Sequence, residues 1–225
     1  MNRKLILPLS LMLLVGFVGF VTASMIWQGN GPDVPYKVEL ELNKGWNIIA
    51  GTLPEDGILS DSEIQASDIK AIWYYHPQTR EYIRVYPNPE LSKLQQADED
   101  VYLTSAMWVY SSKAGIIEYS TLEDYPLLEN RQLYAGWNFV TITPDMFYEK
   151  NGQDVFSWNG IKGNCNFEKI YAWNPETQSW IPISPELESF DFNDFLGYGF
   201  IVKVLNDCKL SQPAENVAQP PQIPN

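Results

Sequence analysis

The side chains of this 225-residue chain that could act as nucleophiles, proton donors or metal ligands are few. There is one histidine, His76, and there are two cysteines, Cys165 and Cys208. Most zinc and iron–sulfur frameworks need four nitrogen or sulfur ligands, or three plus a water molecule, so this content excludes most of them. His76 lies in the first half of the chain and both cysteines lie in the second, which argues against a Cys/His catalytic pair.

The acidic residues are numerous but give no clear catalytic pattern. The chain has 28 Asp and Glu against 15 Lys and Arg, a net charge of −13, so the phosphates of nucleic acid would be repelled. A glycosidase needs two carboxylates across a cleft, and the sequence offers only the weak candidates Glu63, Asp68, Asp98 and Asp100. The acidic stretches 98–100 and 191–194 could bind Ca²⁺ loosely, and the sequence does not decide whether they do. We therefore expect a protein that is not an enzyme and has no cofactor.

Three sequence motifs occur twice and in the same order. Gly-Trp-Asn at 45–47 returns at 136–138, which is 91 positions later. Tyr-His-Pro-Gln-Thr-Arg-Glu-Tyr at 75–82 matches Trp-Asn-Pro-Glu-Thr-Gln-Ser-Trp 98 positions later, and the strand-like 106–109 matches 199–202 at an offset of 93. Collinear matches of this kind indicate an internal duplication. They predict β-repeat 1 over 36–125 and β-repeat 2 over 127–211.

The elements that carry these motifs are predicted to be β-strands. Residues 38–42 alternate between apolar and polar with period two, and aromatic and β-branched runs flank the turns 76–80 and 174–178, as in hairpins. A longer strand is predicted over 102–111, and helix is expected only near 60–66 and 90–98. The fold class is therefore all-β, with two tandem homologous small β-domains, sandwich or barrel-like, behind one N-terminal transmembrane helix.

Together, the Gly-Trp-Asn opening, the x-Asn/His-Pro-x-Thr-x-x-Trp/Tyr hairpin and the later Gly-aromatic-hydrophobic-Val strand resemble a duplicated β-module of bacterial and archaeal surface and secreted proteins. The two hairpins also resemble the last two strands of a kelch blade. However, the kelch Gly-Gly pair is absent and two copies cannot close a propeller, so no kelch binding residues are carried over. The resemblance implies an extracytoplasmic, non-enzymatic β-domain with a binding or structural role.

The aromatic residues divide into two sets. Those that recur in both copies, such as Trp46 with Trp137, are expected to pack in two cores because large rings bury much apolar area. Trp73, Trp108 and Trp158 have no Trp at the matched position, so they are the candidates for an exposed ligand-stacking surface that would bind carbohydrate.

The N-terminal residues 1–29 are predicted to be a signal anchor or a signal peptide. Arg3 and Lys4 precede an uncharged apolar run over 5–27, which as a helix would span roughly 34 Å and cross a bilayer. The positive-inside rule then places the N-terminus in the cytoplasm and the rest outside the cell membrane. Cleavage after Ala23 would instead release a secreted protein.

An extracytoplasmic location permits a disulfide bond, and Cys165 with Cys208 is the predicted pair. The bond would close a loop of about 44 residues, worth about 4 kcal/mol in the chain-entropy model. Residues 212–225 contain four prolines and are predicted to be a disordered tail. The function expected is a membrane-anchored structural or protein-interaction component of a cell-surface assembly, with a carbohydrate-binding module as the alternative.

Overall fold

The computed structural model describes residues 24–26, 37–50, 62–120, 128, 131–188, 196–211 and 213. Strands dominate and every strand pair is antiparallel, which confirms the all-β class. The strands up to residue 120 are β1 Ser24–Ile26, β2 Lys37–Leu42, β3 Gly45–Ala50, β4 Ile69–His76, β5 Glu81–Tyr86, β6 Ala106–Ser111 and β7 Gly115–Ser120. The later strands are β8 Gln132–Leu133, β9 Gly136–Thr141, β10 Tyr148–Lys150, β11 Gln153–Val155, β12 Phe167–Asn174, β13 Ser179–Pro182, β14 Gly199–Val204 and β15 Cys208–Lys209.

Two four-stranded sheets form the framework, one in the first half (37–120) and one in the second half (128–211). The first has the order β3-β6-β4-β5 and the second has the order β9-β14-β12-β13. Each strand of the second sheet is the counterpart of the strand at the same place in the first, by the sequence offsets given above. The predicted hairpins are both present, as β4 with β5 and β12 with β13. Smaller sheets, β1-β2-β7, β10-β11 and β15-β8, complete the described part of the fold.

Each four-stranded sheet is covered on both faces. In β14, Phe200 and Val202 belong to the core of the second half, whereas Ile201 between them points to the first half. The first half has its own core around Ile72, Tyr74 and Val109. A third buried cluster joins the two sheets, and we call it the junction cluster: Ile48, Ala106, Phe139 and Ile201. Because side chains alternate along a strand, one face serves the local core and the other serves the junction.

Helix is limited to short segments among the described residues. These are α1 Leu91–Leu94, α2 Glu99–Thr104 and two 3-10 turns, Ala66–Asp68 and Pro144–Met146. The carboxylate of Asp98 accepts a hydrogen bond from the N–H of Val101 at 3.3 Å and so caps α2. The prediction of a strand over 102–111 is therefore wrong at its beginning, because this capped helix continues to Thr104 and the strand begins at Ala106.

The two cysteines lie on neighbouring segments of the second half. Cys165 and Cys208 are joined in a disulfide with their Cα atoms 5.0 Å apart, which confirms the predicted pairing. Both are buried in the core of the second half. The bond links β15 to the loop that leads into β12.

The predicted membrane segment lies mostly outside the described residues. Of residues 5–27, the structure describes only Ser24–Ile26, which form β1 and pair with β2 (Met25 opposite Val38). The helix prediction is therefore wrong for these three residues, since their backbone hydrogen bonds go to a neighbouring strand. Within the described part of the chain, no helix has the length and apolar content needed to span a bilayer. Of the predicted tail 212–225, only Pro213 is among the described residues.

Candidate functional site

The Gly-Trp-Asn motif builds a turn that the asparagine stabilises. The amide of Asn47 donates to the carbonyls of Asn43 (2.9 Å) and Gly45 (3.1 Å), and its oxygen accepts the N–H of Asn43 (3.0 Å). Gly45 has φ of +110°, a conformation that strains any other residue. The turn leaves Trp46 at the beginning of β3, on the face that points away from the core of the first half.

The second Gly-Trp-Asn turn has the same hydrogen bonds. Asn138 donates to the carbonyls of Tyr134 (2.8 Å) and Gly136 (3.1 Å) and accepts the N–H of Tyr134 (2.9 Å). Gly136 has φ of +107°, close to the value at the first turn. The glycine and asparagine therefore recur because the turn requires them, and the tryptophan is the residue that the turn presents.

The hairpin motif is explained by a second local hydrogen-bonding pattern. The Oδ1 of Asn174 accepts the N–H groups of Glu176 (3.0 Å) and Thr177 (2.9 Å). At the matched position, Nδ1 of His76 accepts the N–H of Thr79 at 3.4 Å. Asn and His are both acceptors that can close such a turn. The single histidine of the chain is thus a buried turn residue, and the turns place the following Tyr82 and Trp180 at the beginning of β5 and β13.

The two halves also contact each other through these turns. Gln178 accepts the N–H of Trp46 and donates to its carbonyl, both at 3.0 Å. The indole N–H of Trp173 donates to the same carbonyl at 2.8 Å. The backbone of Trp46 is therefore held by two side chains that lie 127 and 132 residues away in sequence.

An aromatic groove opens where the two halves meet. Its volume is about 510 Å³, and its lining comes from both halves: Trp46, Trp73, Tyr82, Trp108, Trp173 and Trp180. We call this site the aromatic groove. Because residues of β3, β4, β5 and β6 face residues of β12 and β13, the groove exists only when the two halves are packed together.

The rings of the groove stand roughly perpendicular to one another. The ring centroids of Trp108 and Trp173 are 4.9 Å apart with an interplanar angle of 84°, and those of Trp173 and Trp180 are 5.0 Å apart at 73°. Trp46 meets Trp108 at 5.9 Å and 75°. Edge-to-face pairs of this kind favour a fixed arrangement of the rings. The result is a set of rings in edge-to-face contact with one another, which differs from a flat stacking platform.

The rim of the groove is formed by the two residues at matched hairpin positions. Tyr82 is 50% exposed and Trp180 is 40% exposed, whereas the other four lining side chains are half-buried. The indole N–H of Trp108 donates a hydrogen bond to the hydroxyl of Tyr82 at 3.4 Å, which links the exposed rim residue Tyr82 to the half-buried Trp108. Exposure of two large rings at one site indicates a surface that binds something.

The groove contains little charge. None of its six lining residues carries a full charge at neutral pH. Arg84 lies beside it, with its guanidinium carbon 5.9 Å from the ring centroid of Trp73. Behind the rim, burial raises the pKa of the Tyr75 hydroxyl above its ordinary value, so this group stays neutral as well. The site can therefore bind by ring contact and by indole or phenol hydrogen bonds.

Two of the three predicted stacking residues, Trp73 and Trp108, line the groove. The prediction for Trp158 is wrong, because this side chain is 1% exposed and packs against the rings of Phe156, Phe167 and Phe200 in the core of the second half. Trp158 belongs to the segment 142–166, which connects β9 to β12.

Sequence reasoning missed four of the lining residues. Trp46, Tyr82, Trp173 and Trp180 occupy repeated positions and were expected to be core residues, but they line the groove, and the expectation is wrong above all for the exposed Tyr82 and Trp180. A signal was present in the strand alternation. Along β3, for example, Trp46 and Ile48 share the face opposite Ile49, which belongs to the core of the first half.

The weak carboxylate candidates are used in local structure. Glu63 accepts the N–H of Ile116 at 3.0 Å, Asp68 accepts the N–H of Gln65 at 3.1 Å, and Asp98 caps α2. Among the described residues there is no group of three or more His, Cys, Asp or Glu that could hold a metal ion. Residues 191–194 lie outside the described residues.

Comparisons with models of protein families, with curated proteins and with solved structures found no match to this chain.

Proposed function

We propose that this chain is a non-enzymatic binding module at the cell surface, which holds a partner protein in its aromatic groove. The observation that carries this proposal is the groove itself. Its volume of about 510 Å³ falls in the range of roughly 300–1,000 Å³ that is usual for sites that enclose a small ligand or part of a peptide. Trp and Tyr are also the side chains that most often dominate the binding energy of protein interfaces.

The architecture we propose for it is a pair of tandem homologous β-domains that arose by duplication, over 36–125 and 127–211. This is supported by the equal strand order of the two four-stranded sheets and by the equal hydrogen bonds of the two Gly-Trp-Asn turns. In this view the duplication gave the protein its site, because the groove requires rings from both copies.

The location we propose is the outer face of a membrane, with the uncharged apolar segment that precedes Ser24 as the anchor and Arg3 and Lys4 in the cytoplasm. The length of the uncharged segment supports this, and so does the disulfide between Cys165 and Cys208, since such bonds are typical of oxidising compartments. Cleavage after Ala23 would give a secreted form with the same groove. Protease treatment of intact cells, followed by detection of N- and C-terminal tags, tests this topology.

Carbohydrate is the second candidate ligand, and the exposure of Tyr82 and Trp180 favours it. Sugar rings stack on exposed aromatic faces of this kind. A panel of soluble oligosaccharides, added to the purified chain while its tryptophan fluorescence is recorded, would detect such binding.

The experiment that tests the proposed function compares three versions of the full chain as bait for cross-linking at the cell surface. The groove variant carries Tyr82→Ala and Trp180→Ala, and the control carries Leu205→Ala, which removes a 51% exposed apolar side chain outside the groove. We expect the groove variant to lose at least tenfold of the specifically cross-linked protein, because each large hot-spot ring is worth about 2 kcal/mol or more. The control should retain it. Equal recovery by all three chains would contradict the proposal.

A further inference from the structure

We infer that the aromatic groove accepts a proline-rich segment in the polyproline II conformation, and that the segment it accepts is residues 212–225 of the same chain. This inference rests on the proposed function, because residues 212–225 would fill the same groove until a partner protein displaces them. The argument depends on the chemistry of the lining, on the composition of the segment and on its reach.

The lining favours a peptide over a sugar. A sugar carries many hydroxyl groups, and each one that becomes buried without a partner costs free energy. The groove offers only indole N–H groups and the hydroxyl of Tyr82, and the N–H groups of Trp108 and Trp173 already donate to Tyr82 and Trp46. A ligand with large apolar faces and few polar groups fits this lining better.

A polyproline II helix has the required form. It has three residues per turn, no internal hydrogen bonds and a stiff backbone, so little conformational entropy is lost when it binds. Its proline rings pack against the aromatic side chains that line a groove, and its carbonyls can accept hydrogen bonds from indole N–H groups. The groove provides an aromatic lining of this kind, with Trp108, Trp173 and Trp180 in edge-to-face contact at angles of 71–84°.

The segment 212–225 has the matching composition. It holds four prolines, with Pro220 and Pro221 adjacent and Pro224 three residues after Pro221. Its one charged side chain is Glu215, so the stretch that contains these three prolines is uncharged, as are the residues that line the groove. Neither side therefore has to desolvate a charge for the two to pack together.

The segment is also long enough to reach the groove. It follows Ser211, which bridges to Lys162 beside Asn164, and Asn164 accepts the N–H of Lys209 at 2.7 Å. That end of the second half lies near Phe167, and β12 runs from Phe167 roughly 20 Å to Trp173 in the groove. Nine residues of polyproline II after Ser211 span about 28 Å and thirteen span about 40 Å, so the segment from Pro220 to Pro224 can reach beyond the roughly 20 Å length of β12.

The test uses the full-length chain and a synthetic peptide of residues 211–225. One version of the chain carries Pro220→Ala, Pro221→Ala and Pro224→Ala, so that its groove is empty. We expect acrylamide to quench the tryptophan fluorescence of this version more than that of the native chain. We also expect the peptide to bind the empty-groove version at least tenfold more tightly than the native chain, in which the groove is filled.

Three controls distinguish binding in the groove from non-specific binding of the peptide. Trp180→Ala in the empty-groove chain should weaken peptide binding at least tenfold, Leu205→Ala should leave it unchanged, and a peptide with the three prolines changed to alanine should not bind. Absence of peptide binding to the empty-groove chain would overturn the inference. Binding of decaproline without binding of the 211–225 peptide would also overturn it, while the proposed function would stand. A native chain that is dimeric, and becomes monomeric when the prolines are changed, would overturn the seating within one chain.

Discussion

The junction between the two halves can be tested at Gly199, where they lie close together. A Cβ built on Gly199 would overlap Cβ of Ala106 and Cγ2 of Ile48, both in the junction cluster. Gly199 and Ala106 occupy matched positions of the two repeated motifs, 93 residues apart, so the two halves meet at equivalent points. The substitution Gly199→Ala adds one methyl group where there is no room for it.

The expected cost follows from this geometry. Inserting a methyl group into a packed core costs about 1–3 kcal/mol, because the neighbours must leave their preferred positions. Replacing glycine in a strand by alanine gains roughly 0.5–1 kcal/mol from the reduced freedom of the unfolded chain. We therefore expect Gly199→Ala to lower the free energy of unfolding by about 1–2 kcal/mol.

The assay is urea unfolding followed by tryptophan fluorescence for four chains: native, Gly199→Ala, Ala106→Gly and the double variant. The double variant moves the methyl group from one side of the junction to the other and removes the overlap of the two Cβ atoms. It keeps the overlap with Ile48, so recovery should be partial. We expect the double variant to be more stable than the sum of the single effects by about 1 kcal/mol, because residues in contact are coupled.

Two results would refute this reasoning. If the effects of Gly199→Ala and Ala106→Gly add within roughly 0.3–0.5 kcal/mol, the two residues do not meet in solution. If Gly199→Ala is as stable as the native chain, the halves are not packed as described. Because the groove is lined from both halves, a disrupted junction would also abolish binding in the groove.

Three further predictions concern the Gly-Trp-Asn turns, the disulfide and Tyr198. Asn47→Ala and Asn138→Ala should each lower the free energy of unfolding in urea by about 2 kcal/mol, because the three local hydrogen bonds of a buried amide are lost. A change under about 0.5 kcal/mol in both variants would contradict the structural role of the motif. Reduction of the Cys165–Cys208 disulfide should lower the free energy of unfolding by about 4 kcal/mol in the same assay. Both cysteines should also resist alkylation until a reductant is added. Prompt labelling of the native, unreduced chain would count against the bond. Burial raises the pKa of Tyr198 to about 12, above its unfolded value of about 10. The stability that the neutral hydroxyl contributes is therefore complete below about pH 10 and is lost as the pH rises towards 12. Tyr198→Phe should make the fall in the free energy of unfolding over this range smaller, and an unchanged slope of stability against pH would refute the assignment.

Much of the local structure of the described residues could be predicted from the amino-acid sequence. Period-two alternation and the turn motifs predicted the hairpins and the all-β class, because these depend on residues that are near one another in the chain. The glycine and asparagine of Gly-Trp-Asn, and the His or Asn before proline, act within five residues of themselves. The disulfide was also predicted, since the chain has only two cysteines.

Only the tertiary structure decided which aromatic side chains form the site. The strands of both four-stranded sheets are apolar on both faces, so alternation shows that there are two faces but not which one meets the other half. Trp158 and Trp180 are alike as residue types, yet one is at the centre of a core and the other is at the rim of the groove. The difference arises because Trp180 lies opposite Trp108, 72 positions away in sequence, and that approach depends on the junction as a whole.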